Sequence, residues 1–137
     1  MRIVVFAPRG GSTSDLPLDP DDRVTVVCWQ DASADAVEQV ITVPEHPLSR
    51  RVLTVLGTSL PGRMLTRILP LDTGSRFWRA TSTSAAVADQ VRKADLIVAA
   101  ERDAGFAVWR WRRRGGAIGA VRGYPAARVW IQRRRCA

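Results

Sequence analysis

The sequence predicts an α/β fold: a mostly parallel sheet of about five strands, with helices packed on its faces. Three observations point there. Short β-branched apolar runs recur without polar alternation, the pattern of strands covered on both sides. Stretches with apolar residues at helical spacing separate the later runs. Finally, 137 residues with 46% hydrophobic and 25% charged content suit one globular domain with a core of its own. That composition excludes wholesale disorder and a collagen-like repeat.

Each element follows in order. Residues 2–7 (Arg-Ile-Val-Val-Phe-Ala) read as a strand stopped by Pro8 and Gly10. Residues 8–22 are a turn-rich loop with three prolines and two glycines. Residues 23–29 give a second strand, Ser33 caps a short helix through Gln39, and Val40–Val43 make a third strand. Between 48 and 71, apolar residues such as Leu48, Val52, Leu56, Leu60, Met64 and Ile68 recur at helical spacing. Arg50, Arg51, Arg63 and Arg67 stand among them, and Pro61-Gly62 divides the stretch. Residues 75–93 form another helix, and Asp95–Ala100 is the fourth strand. Residues 103–114 are helical, with Gly115-Gly116 as the stop signal. Ala117–Val121 is the fifth strand, and Pro125 starts a last, basic helix over 125–135. The whole, 1–137, reads as a single three-layer, Rossmann-like domain without linker or repeat.

Charge is distributed unevenly. The net charge is +8, yet residues 1–48 hold three Arg and eight acids, whereas residues 49–137 hold 18 bases and five acids. No acid follows Asp103, but nine Arg do. Such asymmetry either marks an anionic partner or is a solvated basic face. The basic amphipathic pattern of 48–71 either packs on the sheet or lies on an anionic membrane surface. The Trp109-Arg-Trp111-Arg-Arg-Arg114 run interleaves rings with guanidinium groups, as single-strand nucleic-acid platforms do. It equally suits a helix whose Trp side packs inward. No RNP, KH or helix-turn-helix signature accompanies it, so nucleic acid ranks below a small anionic ligand.

Other chemistries find little support. Cys28 and Cys136 form no Cys-x-x-Cys pair; Cys28 reads as a buried hydrophobe and Cys136 as exposed. The single histidine, His46, sits in a Pro44-Glu45-His46-Pro47 loop, and a metal site needs three or four convergent ligands. No metal and no cofactor is expected. Residues 3–7 are too short for a signal-peptide core, and no stretch reaches membrane-spanning length. The expected location is therefore cytoplasmic, with peripheral contact at the inner membrane face through 48–71.

In an open parallel sheet, ligands bind beyond the carboxyl ends of the strands. Three loops lie there. Arg9-Gly10-Gly11-Ser12 follows the first strand, where glycines let backbone N–H groups approach a phosphate or sugar. Its spacing is neither Gly-x-Gly-x-x-Gly nor a Walker pattern, and a proline-rich segment follows it in place of a helix. Asp31 stands where a ribose-binding acid would be in a dinucleotide fold. Glu101-Arg102-Asp103 follows the fourth strand; Asp103 is either the N-cap of the next helix or, with Glu101, a candidate general base. Arg122 follows the fifth strand and is a candidate anion contact.

The order of parts resembles the N-terminal, acceptor-side domain of actinobacterial glycosyltransferases of the GT-B fold. Ile3–Ala7 followed by Gly10-Gly11, the strand Val24–Trp29, the helices through 48–93, the Ala94-Asp-Leu-Ile-Val-Ala-Ala100 strand and the Ala/Trp/Arg-rich helix after it carry the resemblance. It covers roughly residues 2–122, on motifs generic to such sheets. It implies that Gly10-Gly11 lies near donor phosphates and acceptor, and that Glu101 or Asp103 lies near the acceptor pocket. Two departures qualify it. The first crossover is Pro-rich where the family has a helix, and 137 residues hold no nucleotide-sugar-binding second half. The resemblance thus implies a sugar- or nucleotide-binding domain that is not catalytic alone and takes a protein partner supplying the missing domain. A basic binding module and a structural or assembly subunit stand as alternatives.

Overall fold

The computed structural model describes residues 1–30, 32–35, 39–44 and 72–137. The helices expected over 48–71, together with Asp31 and His46, lie outside the described residues. The strands are β1 (Arg2–Phe6), β2 (Gly10–Ser12), β3 (Arg23–Trp29), β4 (Ser33–Asp35), β5 (Gln39–Val43), β6 (Leu96–Ala99) and β7 (Gly119–Arg122). The helices are α1 (Thr73–Thr83), α2 (Ala85–Lys93), α3 (Gly105–Arg113) and α4 (Tyr124–Cys136), with one 3₁₀ turn at Arg102–Ala104.

Five strands form one sheet in the order β5-β3-β1-β6-β7, every neighbouring pair parallel. The chain runs outward from β1 through β3 to β5, then returns to the opposite side of β1 with β6 and β7. The sheet therefore has its topological switch between β1 and β6, where Ile3 pairs with Leu96 and Phe6 with Ala99. This is the expected α/β, Rossmann-like architecture.

Strand alternation divides the core into two layers. Val4, Phe6, Val27, Val43 and Ile97 face Phe77, Val87, Val91, Val108 and Trp111 of α1, α2 and α3. Ile3, Val5, Val26, Cys28, Leu96 and Val98 face Leu16 and the α4 residues Ala127 and Ile131. Because β1 and β6 carry apolar residues on both sides, they read as unbroken apolar runs. Phe77 is fully buried and meets Phe6 and Trp29 edge-on, at ring distances of 6.2 and 5.1 Å.

Two sequence expectations are corrected. Ser33 does not cap a helix and Gln39 does not end one: Ser33–Asp35 is a strand, paired in parallel with Gly10–Ser12 in a separate two-stranded sheet, and Gln39 belongs to β5, with 36–38 outside the described residues. Ladder pairing satisfies the backbone groups on the facing edges of both short segments, and a single helical turn would leave most of its own unpaired. The same pairing turns part of the expected 8–22 loop into β2.

The helix expected over 75–93 is two helices broken at Ser84, whose backbone is extended (φ −83°, ψ 114°). The Thr81-Ser-Thr-Ser84 run explains the break. Thr81, Ser82 and Thr83 donate their hydroxyls to carbonyls three or four residues back, at 2.9–3.2 Å. Such side chains compete with the helical ladder. Ser84 then caps α2 by accepting the Val87 N–H at 3.4 Å.

The stop at Gly115-Gly116 forms as expected. Gly115 adopts φ 78°, and the N–H groups of Gly115 and Gly116 close on the carbonyls of Arg112 and Trp111, both at 3.3 Å. Pro125 stands in the first turn of α4. The acidic loop before β3 is clasped by that helix. Arg128 pairs with Asp15 at 3.4 Å and donates to its carbonyl at 2.6 Å. Arg135 pairs with Asp19 at 3.0 Å and with Asp22, which also meets the N-terminal ammonium at 3.0 Å.

Candidate functional site

The carboxyl ends of β1, β6 and β7 bring the sequence-predicted loops to one edge of the sheet. Parallel pairing forces this, since Phe6, Ala99 and Arg122 share one register row. The chain leaves β1 through Ala7-Pro8 and turns at Gly10, where φ is 84°. A side chain at that position would be strained. The Gly10 N–H donates to the Ala7 carbonyl at 2.8 Å, closing the turn.

The loops after β1 and β6 touch directly. The backbone N–H of Arg9 donates to Glu101 Oε1 at 3.1 Å. The Arg9 guanidinium lies 4.0 Å from Glu101 Oε2 and 3.6 Å from Asp103 Oδ2. The two carboxylates are only 24% and 28% exposed, whereas Arg9 is 80% exposed. Arg9 is thus a solvent-side cation laid over two sheltered anions, a contact that water screens strongly.

Asp103 does not cap α3. It lies within the 3₁₀ turn, and neither Glu101 nor Ala104, the residues at the two cap positions, makes a side-chain cap bond. Its carboxylate faces Arg9, and its backbone supports α1: a Cβ on Gly74 would lie 3.1 Å from the Asp103 carbonyl. Gly74 therefore allows the start of α1 to seat against this turn.

The loop after β7 contributes a residue not assigned from sequence. Tyr124, the only tyrosine, opens α4 and directs its hydroxyl at the glycine loop. A Cβ on Gly11 would sit 3.4 Å from that oxygen and 3.8 Å from the Ala7 methyl. Burial, reinforced by the negative charges of Asp15 and Glu101, pushes the Tyr124 phenol above its ordinary range, so it stays protonated. A sequence signal did exist, because Tyr124 directly follows Arg122-Gly123 at a strand's carboxyl end. The glycine loop it approaches, however, lies more than a hundred residues upstream.

The structure therefore brings Arg9, Gly10, Gly11, Glu101 and Asp103 together, with Tyr124 beside them. Arg122 is exposed at the end of β7, on the same sheet edge. Ser12 is exposed, and its hydroxyl donates to Ser14 Oγ at 2.8 Å. Among the described residues, no group of three or more His, Cys, Asp or Glu side chains is arranged to hold a metal ion. Cys28 is buried and its thiol is pushed up by that burial; Cys136 is exposed. No helix of the described residues is long and apolar enough to cross a membrane.

The cluster combines two carboxylate acceptors, a protonated phenol and one exposed guanidinium. The backbone N–H groups of Arg9 and Gly10 are already used, by Glu101 and the Ala7 carbonyl, and are not open to a phosphate. No family model matches the chain, and neither the curated proteins nor the solved structures include a significant match.

Proposed function

We propose that the chain is a glycosyltransferase-like domain of the N-terminal type. In this reading it binds a sugar or nucleotide-sugar at the switch between β1 and β6 and depends on a second domain or partner chain for catalysis. The observation that carries the reading is the meeting of Arg9, Glu101, Asp103 and Tyr124 beside Gly10-Gly11, at the crevice position where open parallel sheets bind ligands.

The chemistry of the cluster favours a polyhydroxylated ligand with one anionic group. Sugar hydroxyls donate to the carboxylates of Glu101 and Asp103 and accept from the Tyr124 phenol. Arg9, loosely held and exposed, swings from its carboxylates to the ligand's anion, with Arg122 as a second cation on the same edge. A bare phosphate would meet two carboxylates and few open N–H groups. In a catalysing assembly Glu101 or Asp103 takes the acceptor's proton, a step open to it only once Arg9 has moved away.

Calorimetric titration with nucleotides, nucleotide-sugars and free sugars tests the reading. A nucleotide-sugar or sugar is expected to bind, and Glu101→Gln or Tyr124→Phe to weaken it about five- to tenfold, the loss of one good hydrogen bond. Silence across the panel, or unchanged binding by both variants, contradicts it.

A further inference from the structure

The fold resolves where the excess positive charge is left. Arg9, Arg92, Lys93, Arg128 and Arg135 each have a carboxylate partner. Arg110, Arg112, Arg113 and Arg114, on α3 and just beyond it, have none among the described residues. Aromatic rings hold three of them instead. The Arg110 guanidinium lies 5.6 Å from the ring centres of both Trp78 and Phe106. Arg113 lies 5.1 Å from Trp109, and Arg114 4.6 Å from Trp78.

Two of the rings are open to solvent. Phe106 is 39% exposed and Trp109 48%, unusual values for such large apolar groups standing side by side. Their ring centres are 5.9 Å apart and their planes differ by 31°. Trp111, two positions on, falls on the opposite face of the helix and is buried against Trp78. The Trp-Arg run thus splits into a core half and an outward ridge.

We infer that this ridge, Phe106, Trp109, Arg110 and Arg113, is a binding surface for single-stranded nucleic acid. Bases stack on the exposed rings, and phosphates take the unpartnered guanidinium groups. A partner must supply both anions and flat π faces to use everything the ridge offers. An acidic peptide would pair with the arginines and leave the rings idle. A bilayer interface would take the arginines at its anionic headgroups but offer no flat π faces for Phe106 and Trp109 to stack on.

Fluorescence anisotropy with a labelled oligothymidylate dodecamer tests the inference. If Arg110 and Arg113 neutralise two phosphates, log affinity falls against log salt with a slope of about −1.4, roughly a sevenfold loss from about 50 to 200 mM salt. Trp109→Ala is expected to weaken binding at least about fivefold at fixed salt, through lost stacking, with the slope kept. Arg110→Ala/Arg113→Ala is expected to flatten the slope, while Arg133→Ala/Arg134→Ala, an equal charge loss on α4, leaves affinity within about twofold. Absence of binding at low salt, or a Trp109→Ala variant that binds like the parent, overturns the inference. So does preference for anionic phosphatidylglycerol vesicles or poly-glutamate over the oligonucleotide in competition.

Discussion

Gly119 leaves no room for a side chain, because a Cβ there would lie 2.6 Å from the Trp130 ring that packs across the start of β7. Trp130 belongs to α4, so this contact joins the last strand to the helix covering it. Gly119→Ala forces the indole or the strand to shift, and a loss of about 1–3 kcal/mol is expected. Urea unfolding checks it: the midpoint should fall while the slope stays the same. Residue-level contacts of this kind were not legible in the sequence. Glu101 and Asp103 stood out as acids at a strand's end, and they do lie at the switch. Their engagement with Arg9, and the approach of Tyr124 to Gly11, depend on chain segments brought together from opposite ends of the sequence.

Strand identity and helix ends follow local rules, and at this scale the sequence was most informative. The apolar runs 2–7, 23–29 and 95–100 became central strands because they are apolar on both faces. Gly115 and Pro125 marked a helix end and a helix start through backbone geometry alone. Side-chain hydrogen bonding overrides apolar periodicity at one point. Thr81–Ser84 divides what apolar periodicity presents as one helix, and Ser84 begins the second. Ser84→Ala is expected to cost about 1 kcal/mol through loss of the α2 cap. Hydrogen exchange checks its location, with faster exchange at the Val87 amide and neighbouring first-turn amides than elsewhere in the core. The β2–β4 pair was hidden for another reason: three-residue strands containing Gly and Ser carry too little apolar pattern to register.

Across the whole molecule, the acidic first third and the basic remainder fold onto each other. The loop before β3 and helix α4 meet through Arg128 and Arg135, and Asp22 is the centre of that clasp. Burial alone would raise the Asp22 carboxyl. The Asp19 N–H, the N-terminal ammonium and Arg135 more than offset it, so the group sits below its ordinary value of 3.8. A depressed carboxyl stabilises the fold at pH values above its unfolded pKa, and that contribution is lost as pH falls through the folded value. Asp22→Asn is therefore expected to lower stability by about 1 kcal/mol near neutral pH. The gap to the parent should close as pH falls below 3.8 and through the folded value, as a pH series of denaturation midpoints will show.

The clasp leaves the arginines of α3 without a carboxylate among the described residues, and the switch between β1 and β6 as the charged, hydroxyl-bearing edge. The central claim is that this edge holds a sugar or nucleotide-sugar. Amide chemical-shift mapping by NMR, in the presence of a nucleotide-sugar, tests it most directly. Shifts are predicted to concentrate at Arg9–Ser14, Glu101–Asp103 and Gly123–Tyr124, three segments distant in sequence and joined only at that edge. Unmoved amides at all three, or shifts confined to α3, would contradict it.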